Sequence, residues 1–341
     1  MSAGASDRVA TLALVTARAP RIGIVVTDAY APDDPDPDTP LLLHALRQRG
    51  AEAAAVVWHD ERIDLAAFDL LILRSPWDYP DRLDEFRTWL DRAGSATRVL
   101  NAPETVRWNL DKRYLAELEG AGVRVVPTVY AASADAAATA LATHDTGDGQ
   151  ATDRGTGSGA RVVVKPAVSA AARDTGLFAA SDPRALALAT RIVEAGGVAM
   201  IQPEIGELTD GHERALYLVD GVFTHAIAKG ALLAEGGGLR GGVYVENPVV
   251  VDATPAEHAL AQDALRAVRA LTDGSAPLYA RVDVVTSTAF GPCVLEVELI
   301  EPSLNLHVAP EAIAVVAEAI LRAAGDDPDR PVSVGTAIPG S

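Results

Sequence analysis

The sequence lacks the residues and patterns that several protein classes require. It has one cysteine, Cys293, which excludes an intramolecular disulfide, fits a reducing cytoplasm and is expected in the core. Basic residues are scarce: 29 Lys and Arg stand against 47 Asp and Glu, giving a net charge of −18 at pH 7. Because such a surface repels phosphate backbones and anionic headgroups, we expect neither nucleic acid nor membranes as partners.

Long apolar runs and several familiar motifs are also missing. No run approaches the ~20 residues of a membrane span, and the N-terminus lacks the charged region of a signal peptide. There is no P-loop, no zinc-type histidine spacing and no G-x-S-x-G elbow. The run GGGLRG at 236–241 does not follow the first strand of a βαβ unit, so we interpret it as a mobile loop rather than a dinucleotide site. These absences favour a cytoplasmic protein.

What the chain does have is a long alternation of apolar strands and helices. Its 341 residues, 49% of them hydrophobic, can bury two or three domain cores. Strands alternating with helices predict an α/β domain with a doubly wound parallel sheet over 21–127. Residues 128–205 and 206–325 are predicted to be α+β units, and Asp220-Gly221 predicts a tight hairpin turn. Three segments are predicted to be irregular: a disordered leader at 1–20, a flexible loop at 145–160 and a tail at 326–341.

Three acids occur in strand-like runs near the C-terminus: Asp283 in YARVDVV, and Glu296 and Glu298 in LEVELI. Because strand side chains alternate faces, Glu296 and Glu298 share one face about 6–7 Å apart, and Leu295 faces the core. If the two strands are antiparallel neighbours, the three carboxylates form an all-oxygen cluster that suits Mg²⁺ or Mn²⁺. A solvated polar sheet face is the alternative. Glu301 has the opposite parity and is expected in the following turn, as a substrate-side or structural neighbour.

Isolated lysines accompany the acids. Lys165 and Lys229 end apolar strands, and Lys112 lies in the first turns of a predicted helix. A lone lysine at a strand end is commonly just exposed, but three lysines together with an acidic cluster favour a nucleoside triphosphate site. The loop VSAAARDTG, which contains Arg173, could close over phosphates through its backbone N–H groups.

The motif RSPWDYP places Arg74 and Asp78 after a predicted strand. Ligands bind at the carboxyl ends of strands in open α/β sheets, so these residues are candidates for binding a substrate. An ordinary capped turn is the alternative.

The order of these motifs resembles that of the ATP-grasp superfamily across residues 21–325. The shared elements are an α/β N-terminal region and a lysine-bearing helix, followed by VVVKP, QPEI, HERALYL, AKG, ARVDVV and LEVELIEPSL. RSPWDYP, WNLDKRYL and IEPSL are more particularly similar to the branch that contains the cycloserine-forming cyclo-ligase, with glutathione-synthetase-type ligases more distant. The resemblance implies a fold in which the N-terminal domain and two α+β subdomains grip ATP.

The resemblance also implies roles for individual residues. ATP would be bound by Lys112, Lys165 and Lys229, by the adenine-facing linker Gln202, Pro203, Glu204 and Ile205, and by Glu213 at the ribose. Two Mg²⁺ (or Mn²⁺) ions would be held by Asp283, Glu296 and Glu298. The charge that develops on the transferred phosphoryl group would be stabilised by Arg240, Arg173 and Lys229. An amino-acid substrate would be bound by Arg74 and Asp78. The commoner pattern has asparagine where Glu298 stands, so the extra charge requires a second ion or pairing with Arg281.

The implied reaction is an ATP-dependent carboxylate–amine ligation of amino-acid-like substrates through an acyl phosphate, giving ADP and phosphate. Within the same scaffold, the alternative is an intramolecular cyclo-ligase that closes an O-ureidoserine-like substrate to a cycloserine-type ring. An alternative of another class is a non-catalytic ATP-binding module. A nicotinamide enzyme is disfavoured because the first strand leads into the acidic, glycine-free run TDAYAPDDPDPDTP. Monomer and homo-oligomer both stay open.

Overall fold

The computed structural model describes most of the chain between residues 18 and 325. The described ranges are 18–30, 35–145, 159–169, 172–209, 211–230, 233–234, 236–237, 247–272 and 274–325. The predicted leader, the loop at 145–160, the tail and the loop at 236–241 fall largely or wholly outside them. Within these ranges, no helix has the length and apolar character needed to cross a bilayer.

The first sheet is parallel, as predicted. Its strands are β1 (Arg21–Val26), β2 (Glu52–Val57), β3 (Leu70–Ser75) and β4 (Arg98–Leu100), in the order β2-β1-β3-β4. The associated helices are α1 (Asp38–Gln48), α2 (Leu83–Ala96), α3 (Pro103–Asn109) and α4 (Tyr114–Gly120). Every residue of β3 is buried, which is typical of a parallel strand covered on both faces. Lys112 was expected in the first turns of a helix; instead it lies in the turn between α3 and the short α4.

The second sheet is antiparallel and lies between residues 129 and 203. It contains β5 (Val129–Ala131), β6 (Arg161–Pro166), β7 (Gly176–Ala179) and β8 (Ala199–Pro203), in the order β5-β8-β6-β7. Helices α5 (Ala134–Asp145) and α6 (Pro183–Glu194) share a hydrophobic core with this sheet. The Asp182 side chain accepts the Arg184 N–H and so begins α6.

The third sheet is also antiparallel. It contains β9 (Glu213–Val219), β10 (Val222–Lys229), β11 (Val249–Val251), β12 (Tyr279–Ser287) and β13 (Gly291–Glu298), in the order β11-β10-β9-β12-β13. The remaining helices are α7 (Gly206–Thr209), α8 (Pro255–Leu271) and α9 (Glu311–Gly325). Asp220 and Gly221 join β9 to β10 with φ values of 53° and 73°, which confirms the predicted tight turn.

The C-terminal helix α9 packs against the first sheet. Val316 and Ile320 of α9 share a core with Leu42 and Leu46 of α1. On the other face of the sheet, α2 contributes Phe86 and its neighbours to a separate core. Helices therefore cover both faces, and the core that α9 shares with α1 joins the predicted units 21–127 and 206–325.

A bulge interrupts the pairing of β12 with β13. Asp283 lies opposite Glu296, but the next residue, Val284, lies opposite Val294. Leu295 is therefore an extra residue, and the strict alternation expected for this strand breaks there. Leu295 was predicted to face the core; instead it is half-buried and lies on the wall of a large cavity.

Candidate active site

A cavity of about 830 Å³ is lined by residues of the second and third sheets and by loops that follow strands of the first sheet. This volume is near the top of the ~300–1,000 Å³ range of small-molecule sites. It is lined by most of the residues singled out in the sequence: Asp78, Lys112, Lys165, Arg173, Gln202, Pro203, Glu204, Ile205, Glu213, Lys229, Asp283, Glu296 and Glu298. Arg74 does not line it, and Arg240 lies outside the described residues.

Asp283 is fully buried in the cavity floor and is bound by two cations. Its oxygens accept from Arg281 Nε at 2.8 Å, Arg281 Nη2 at 2.9 Å and Lys229 Nζ at 2.8 Å. Burial alone would raise the pKa of Asp283, but the two cations outweigh it and hold the pKa below its usual range. Lys229 also donates to Glu213 at 3.1 Å, and burial raises the pKa of the Glu213 carboxyl despite this contact.

Glu296 and Glu298 project into the same cavity and each contacts a different cation. Glu296 lies 3.1 Å from Lys112 Nζ; burial opposes its charge, but Lys112 and Lys165 hold the pKa of Glu296 below its usual range. Glu298 is paired with Arg281, the residue opposite it on β12. Burial, together with the neighbouring Glu296 and Asp283 charges, outweighs Arg281 and raises the pKa of Glu298 to about 8.

The three acids have the right chemistry for a hard divalent ion, although each is paired with a cation. Their oxygens face one cavity from adjacent antiparallel strands, and such carboxylates suit Mg²⁺ or Mn²⁺. Over the described ranges, no three His, Cys, Asp or Glu side chains are already arranged around an ion position. Ion binding would therefore require these carboxylates to exchange Lys112, Lys229 or Arg281 for the metal.

Lys165 differs from the other two lysines because it has no acidic partner. Among the residues that the structure describes, no ion pair or side-chain hydrogen bond involves it, and burial lowers its pKa. By contrast, Lys112 donates to the Ser169 carbonyl at 2.6 Å as well as contacting Glu296. Burial by itself would lower the pKa of Lys112, but Glu296 and its neighbours raise it. Lys165 is thus available to an incoming anion.

The opposite wall of the cavity is apolar. It includes five aliphatic side chains: Val126, Val163, Leu177, Leu208 and Leu295. Gln202, in the predicted adenine linker, donates to the Thr128 hydroxyl at 2.8 Å. The Glu204 side chain pairs with Arg161, and its own N–H donates to the Arg161 carbonyl at 2.8 Å. The Glu204 amide is therefore already bonded, while the aliphatic side chains offer apolar contacts to a base.

Arg74 is buried below the cavity rather than exposed on its wall. It is 1% exposed, its Nη2 donates to the Pro302 carbonyl, and its guanidinium carbon lies 5.3 Å from the Tyr279 ring centre. Arg74 was predicted to grip a substrate; in this position it instead supports the loop that follows β13. Asp78 does reach the cavity, where it accepts from Trp58 Nε1 at 2.7 Å and Arg82 Nη1 at 3.3 Å.

Glu301 lies after β13, outside the strand as expected, and its side chain lines the cavity. Burial raises the pKa of Glu301 to about 7, with the nearby Tyr79 hydroxyl and Lys112 acting in the opposite direction. Trp77, Tyr79 and Tyr30 line the same corner. Sequence reasoning named Trp77 and Tyr79 only as members of RSPWDYP and missed Tyr30. The signal was weak, because Tyr30 follows β1 whereas Trp77 and Tyr79 follow β3.

Arg173 connects the second sheet to the first. It lies on the cavity wall in the loop between β6 and β7, and it pairs with Asp81, which follows β3. Ala172 and Asp174, on either side, adopt positive φ values of 52° and 50°. The segment therefore reaches across the cavity mouth, as expected for a loop that covers a ligand.

Comparison with known proteins agrees with this geometry. Residues 22–101 match the family model described as the N-terminal domain of the D-cycloserine synthetase DcsG. The cycloserine biosynthesis protein DcsG of Streptomyces lavendulae is 33% identical over 299 residues, covering 87% of this chain and 96% of the relative. The crystal structure of D-cycloserine synthetase DcsG superimposes with a TM-score of 0.80 at 31% identity, covering 89% of this chain and 99% of the other.

More distant structures share the fold. The D-alanine–D-alanine ligase of Bacillus anthracis complexed with ATP has a TM-score of 0.58 at 15% identity, covering 90% of this chain and 97% of the other. The ATP-grasp ligase PsnB, solved with a precursor variant, Mg and ADP, has a TM-score of 0.56 at 15% identity, with 89% and 98% coverage. The chain therefore belongs to the D-cycloserine synthetase DcsG family, and it is a ligase with the ATP-grasp fold.

Proposed function

We propose that this protein is an ATP-dependent cyclo-ligase that activates the carboxylate of one O-ureidoserine-like substrate and closes a cycloserine-type ring. The observation that carries the proposal is the likeness to the Streptomyces lavendulae cycloserine biosynthesis protein over 96% of that protein's length. The cavity supports it, because the cationic side chains and acids expected for ATP chemistry lie together on one wall. Ring closure was the alternative in the sequence interpretation, and the whole-length likeness now favours it.

ATP would occupy the side of the cavity between the aliphatic wall and the lysines. Leu295, Val163 and Ile205 would pack on the base, and Glu213 would accept from the ribose hydroxyls. Lys165, which has no acidic partner in the described structure, would bind phosphate oxygens. Asp283, Glu296 and Glu298 would hold two Mg²⁺ (or Mn²⁺) ions, which when bound neutralise phosphate charge.

The chain's own residues would position the reactants and exclude water. A substrate carboxylate oxygen attacks the γ-phosphorus and ADP leaves, which gives an acyl phosphate. A nitrogen of the same substrate then attacks the acyl carbon, loses its proton and expels phosphate. Lys229 and Arg173, with Arg240 as a further candidate, would stabilise the charge that develops on the transferring group. The segment around Arg173 would keep water from the acyl phosphate by covering the cavity mouth.

Ligation of two amino-acid-like substrates is the second candidate. The cavity volume of about 830 Å³ favours it, because space remains for a further small molecule beside a nucleotide. Substrate stoichiometry separates the two reactions, since ring closure needs one substrate and ligation needs two.

The test is ADP release by the purified protein with MgATP and O-ureido-D-serine alone, compared with pairs of amino acids. We expect release with the single substrate and a cyclic product by mass spectrometry. Glu296→Ala should reduce release about 100- to 1,000-fold, the loss typical of one charge-stabilising group at a reacting centre, and the exposed Glu104→Gln should match wild type. Release only with two amino acids would establish ligation instead. Nucleotide binding without release on any substrate would indicate a non-catalytic module.

A further inference from the structure

Glu301 differs from the other carboxylates of the cavity. Asp283, Glu296 and Glu298 each contact a lysine or an arginine. Glu301 has no lysine, arginine or histidine within 4 Å among the residues that the structure describes, and the Tyr79 phenol interacts with its carboxyl. A buried carboxylate without a cation is unfavourable, and the raised pKa of Glu301, about 7, reflects this.

The position of Glu301 is held firmly by its own loop. Its carbonyl accepts from Trp77 Nε1 at 3.0 Å, and the next carbonyl, that of Pro302, accepts from Arg74. Further along, the buried carboxylate of Asp38 accepts three backbone N–H groups, from Leu304, Asn305 and Leu306, at 2.6–3.0 Å. The carboxyl of Glu301 is therefore presented to the cavity by a fixed backbone.

Aromatic side chains lie near this carboxyl: the Tyr79 phenol interacts with it, and Trp77 donates to the Glu301 carbonyl. Tyr30, Trp77 and Tyr79 line the same corner of the cavity, and the Tyr30 and Trp77 rings meet edge to face at 5.6 Å. Aromatic faces attract organic cations, and a carboxylate beside them adds a full negative charge. The corner thus has the chemistry of an ammonium site, whereas Lys112, Lys165 and Lys229 lie on the wall expected to bind phosphate.

We propose that Glu301, with Trp77 and Tyr79, binds the ammonium group of an α-amino-acid substrate. The proposal rests on the proposed function, because it concerns the substrate of that reaction. A zwitterion would lie with its ammonium at Glu301 and its carboxylate towards the lysines, where phosphorylation takes place. An ammonium bound by a carboxylate keeps its proton and cannot act as a nucleophile. The ureido nitrogen would then be the group left to attack the acyl phosphate.

The experiment compares substrates with and without the amino group. ADP release is measured with O-ureido-D-serine and with its des-amino counterpart, 3-(ureidooxy)propanoate, for wild type and Glu301→Gln. A charge-assisted hydrogen bond is worth roughly 10- to 100-fold in affinity. We expect Glu301→Gln to raise KM for O-ureido-D-serine by about that factor, with KM for ATP unchanged. For wild type, the des-amino compound should show a similar loss, and for the variant the two compounds should be equivalent.

Controls separate this proposal from misfolding and from failure of the proposed function. Glu104→Gln removes an exposed carboxyl far from the cavity and should behave as wild type. Glu301→Asp should recover part of the affinity. If wild type turns over only amino-acid pairs, the same comparison is made with the amino acid that supports ADP release and its des-amino analogue. An unchanged KM in Glu301→Gln, or a loss confined to kcat, would overturn the assignment.

Discussion

The carboxylates of the cavity fall into two groups, a paired end and an unpaired end. At the paired end, Asp283, Glu296 and Glu298 contact Lys112, Lys229 or Arg281. At the unpaired end, the half-buried Glu301 lies beside Tyr79 and Trp77. At the paired end, each carboxylate already has a cationic partner, so a ligand that binds there must displace or rearrange existing ion pairs. At the unpaired end, no lysine, arginine or histidine of the described residues lies within 4 Å of Glu301, and Lys112 and Arg281 act on it only from further away, so a ligand can supply a closer cation. Removing a carboxylate from water therefore has opposite consequences at the two ends. At the paired end, the ion pairs contribute to the stability of the fold; at the unpaired end, the uncompensated carboxylate can bind a cationic group of a ligand.

The largest expected effect is the loss of the shared cation at the paired end. Arg281→Met leaves Asp283 without one of its two cations and Glu298 without its ion pair. Removing one partner of a buried pair costs about 3–5 kcal/mol, so urea denaturation should show a loss of that size in unfolding free energy. Arg266→Met, which breaks an exposed pair with Asp263 on α8, should cost less than about 1 kcal/mol. Equal losses for the two variants would contradict the comparison.

Substitutions of Lys229 and Lys165 should have different effects, the first mainly on stability and the second mainly on nucleotide binding. Lys229→Met leaves buried Asp283 and Glu213 with one cation fewer, and we expect it to lower the unfolding free energy by about 3 kcal/mol. Lys165→Met removes a buried cation without an acidic partner in the described structure, so stability should stay within about 1 kcal/mol.

The matching measurement for Lys165→Met is ATP affinity by titration calorimetry. We expect it to fall roughly 10- to 100-fold, because a charge-assisted contact to phosphate is lost. A large loss of stability with unchanged ATP affinity would show that Lys165, like Lys229, stabilises the fold through the cavity carboxylates and does not bind phosphate.

The last prediction concerns the pH dependence of stability at the unpaired end. The pKa of Glu301 is raised from 4.5 to about 7 in the folded state, so the folded protein binds this proton more tightly than the unfolded chain. Its contribution to stability is therefore present below about pH 4.5 and is lost as the pH rises through about 7. The charged and titratable groups that act on Glu301 are Tyr79, Lys112, Glu296 and Arg281.

Glu301→Gln removes this dependence. Relative to wild type, the variant should gain about 2–3 kcal/mol of unfolding free energy between pH 5 and pH 8. Chemical denaturation at the two pH values measures the difference. Glu104→Gln should show no such gain. If the difference in unfolding free energy between Glu301→Gln and wild type were the same at both pH values, folding would not raise the pKa of the Glu301 carboxyl.

Much of this architecture was predictable because its determinants are local. Apolar runs alternating with helices predicted the parallel first sheet, and Asp220-Gly221 predicted the β9–β10 hairpin of the third sheet. Both predictions depend on only a few neighbouring residues. Strand alternation also predicted that Glu296 and Glu298 share a face, and β12 does pair antiparallel with β13, as that interpretation required. The resemblance to ATP-grasp enzymes came from motif order, which is likewise a property of the sequence.

Other features depend on residues that are distant in sequence. The bulge that turns Leu295 to the cavity arises from the pairing of β12 with β13, and alternation alone placed this side chain wrongly. The burial of Arg74 beneath Pro302 joins residues that are 228 positions apart. No local pattern predicts such contacts.

The sequence by itself determined the strands, the order of the motifs and the family to which the chain belongs. Only the tertiary structure decided which carboxylates have cations. Lys229 of β10, Lys112 of a turn and Arg281 of β12 pair with Asp283, Glu296 and Glu298. Glu301, only three residues beyond Glu298, instead lies beside Trp77 and Tyr79 of a loop after β3. The physical reason is that the ionisation of a buried acid depends on its neighbours in space, and folding chooses those neighbours from the whole chain.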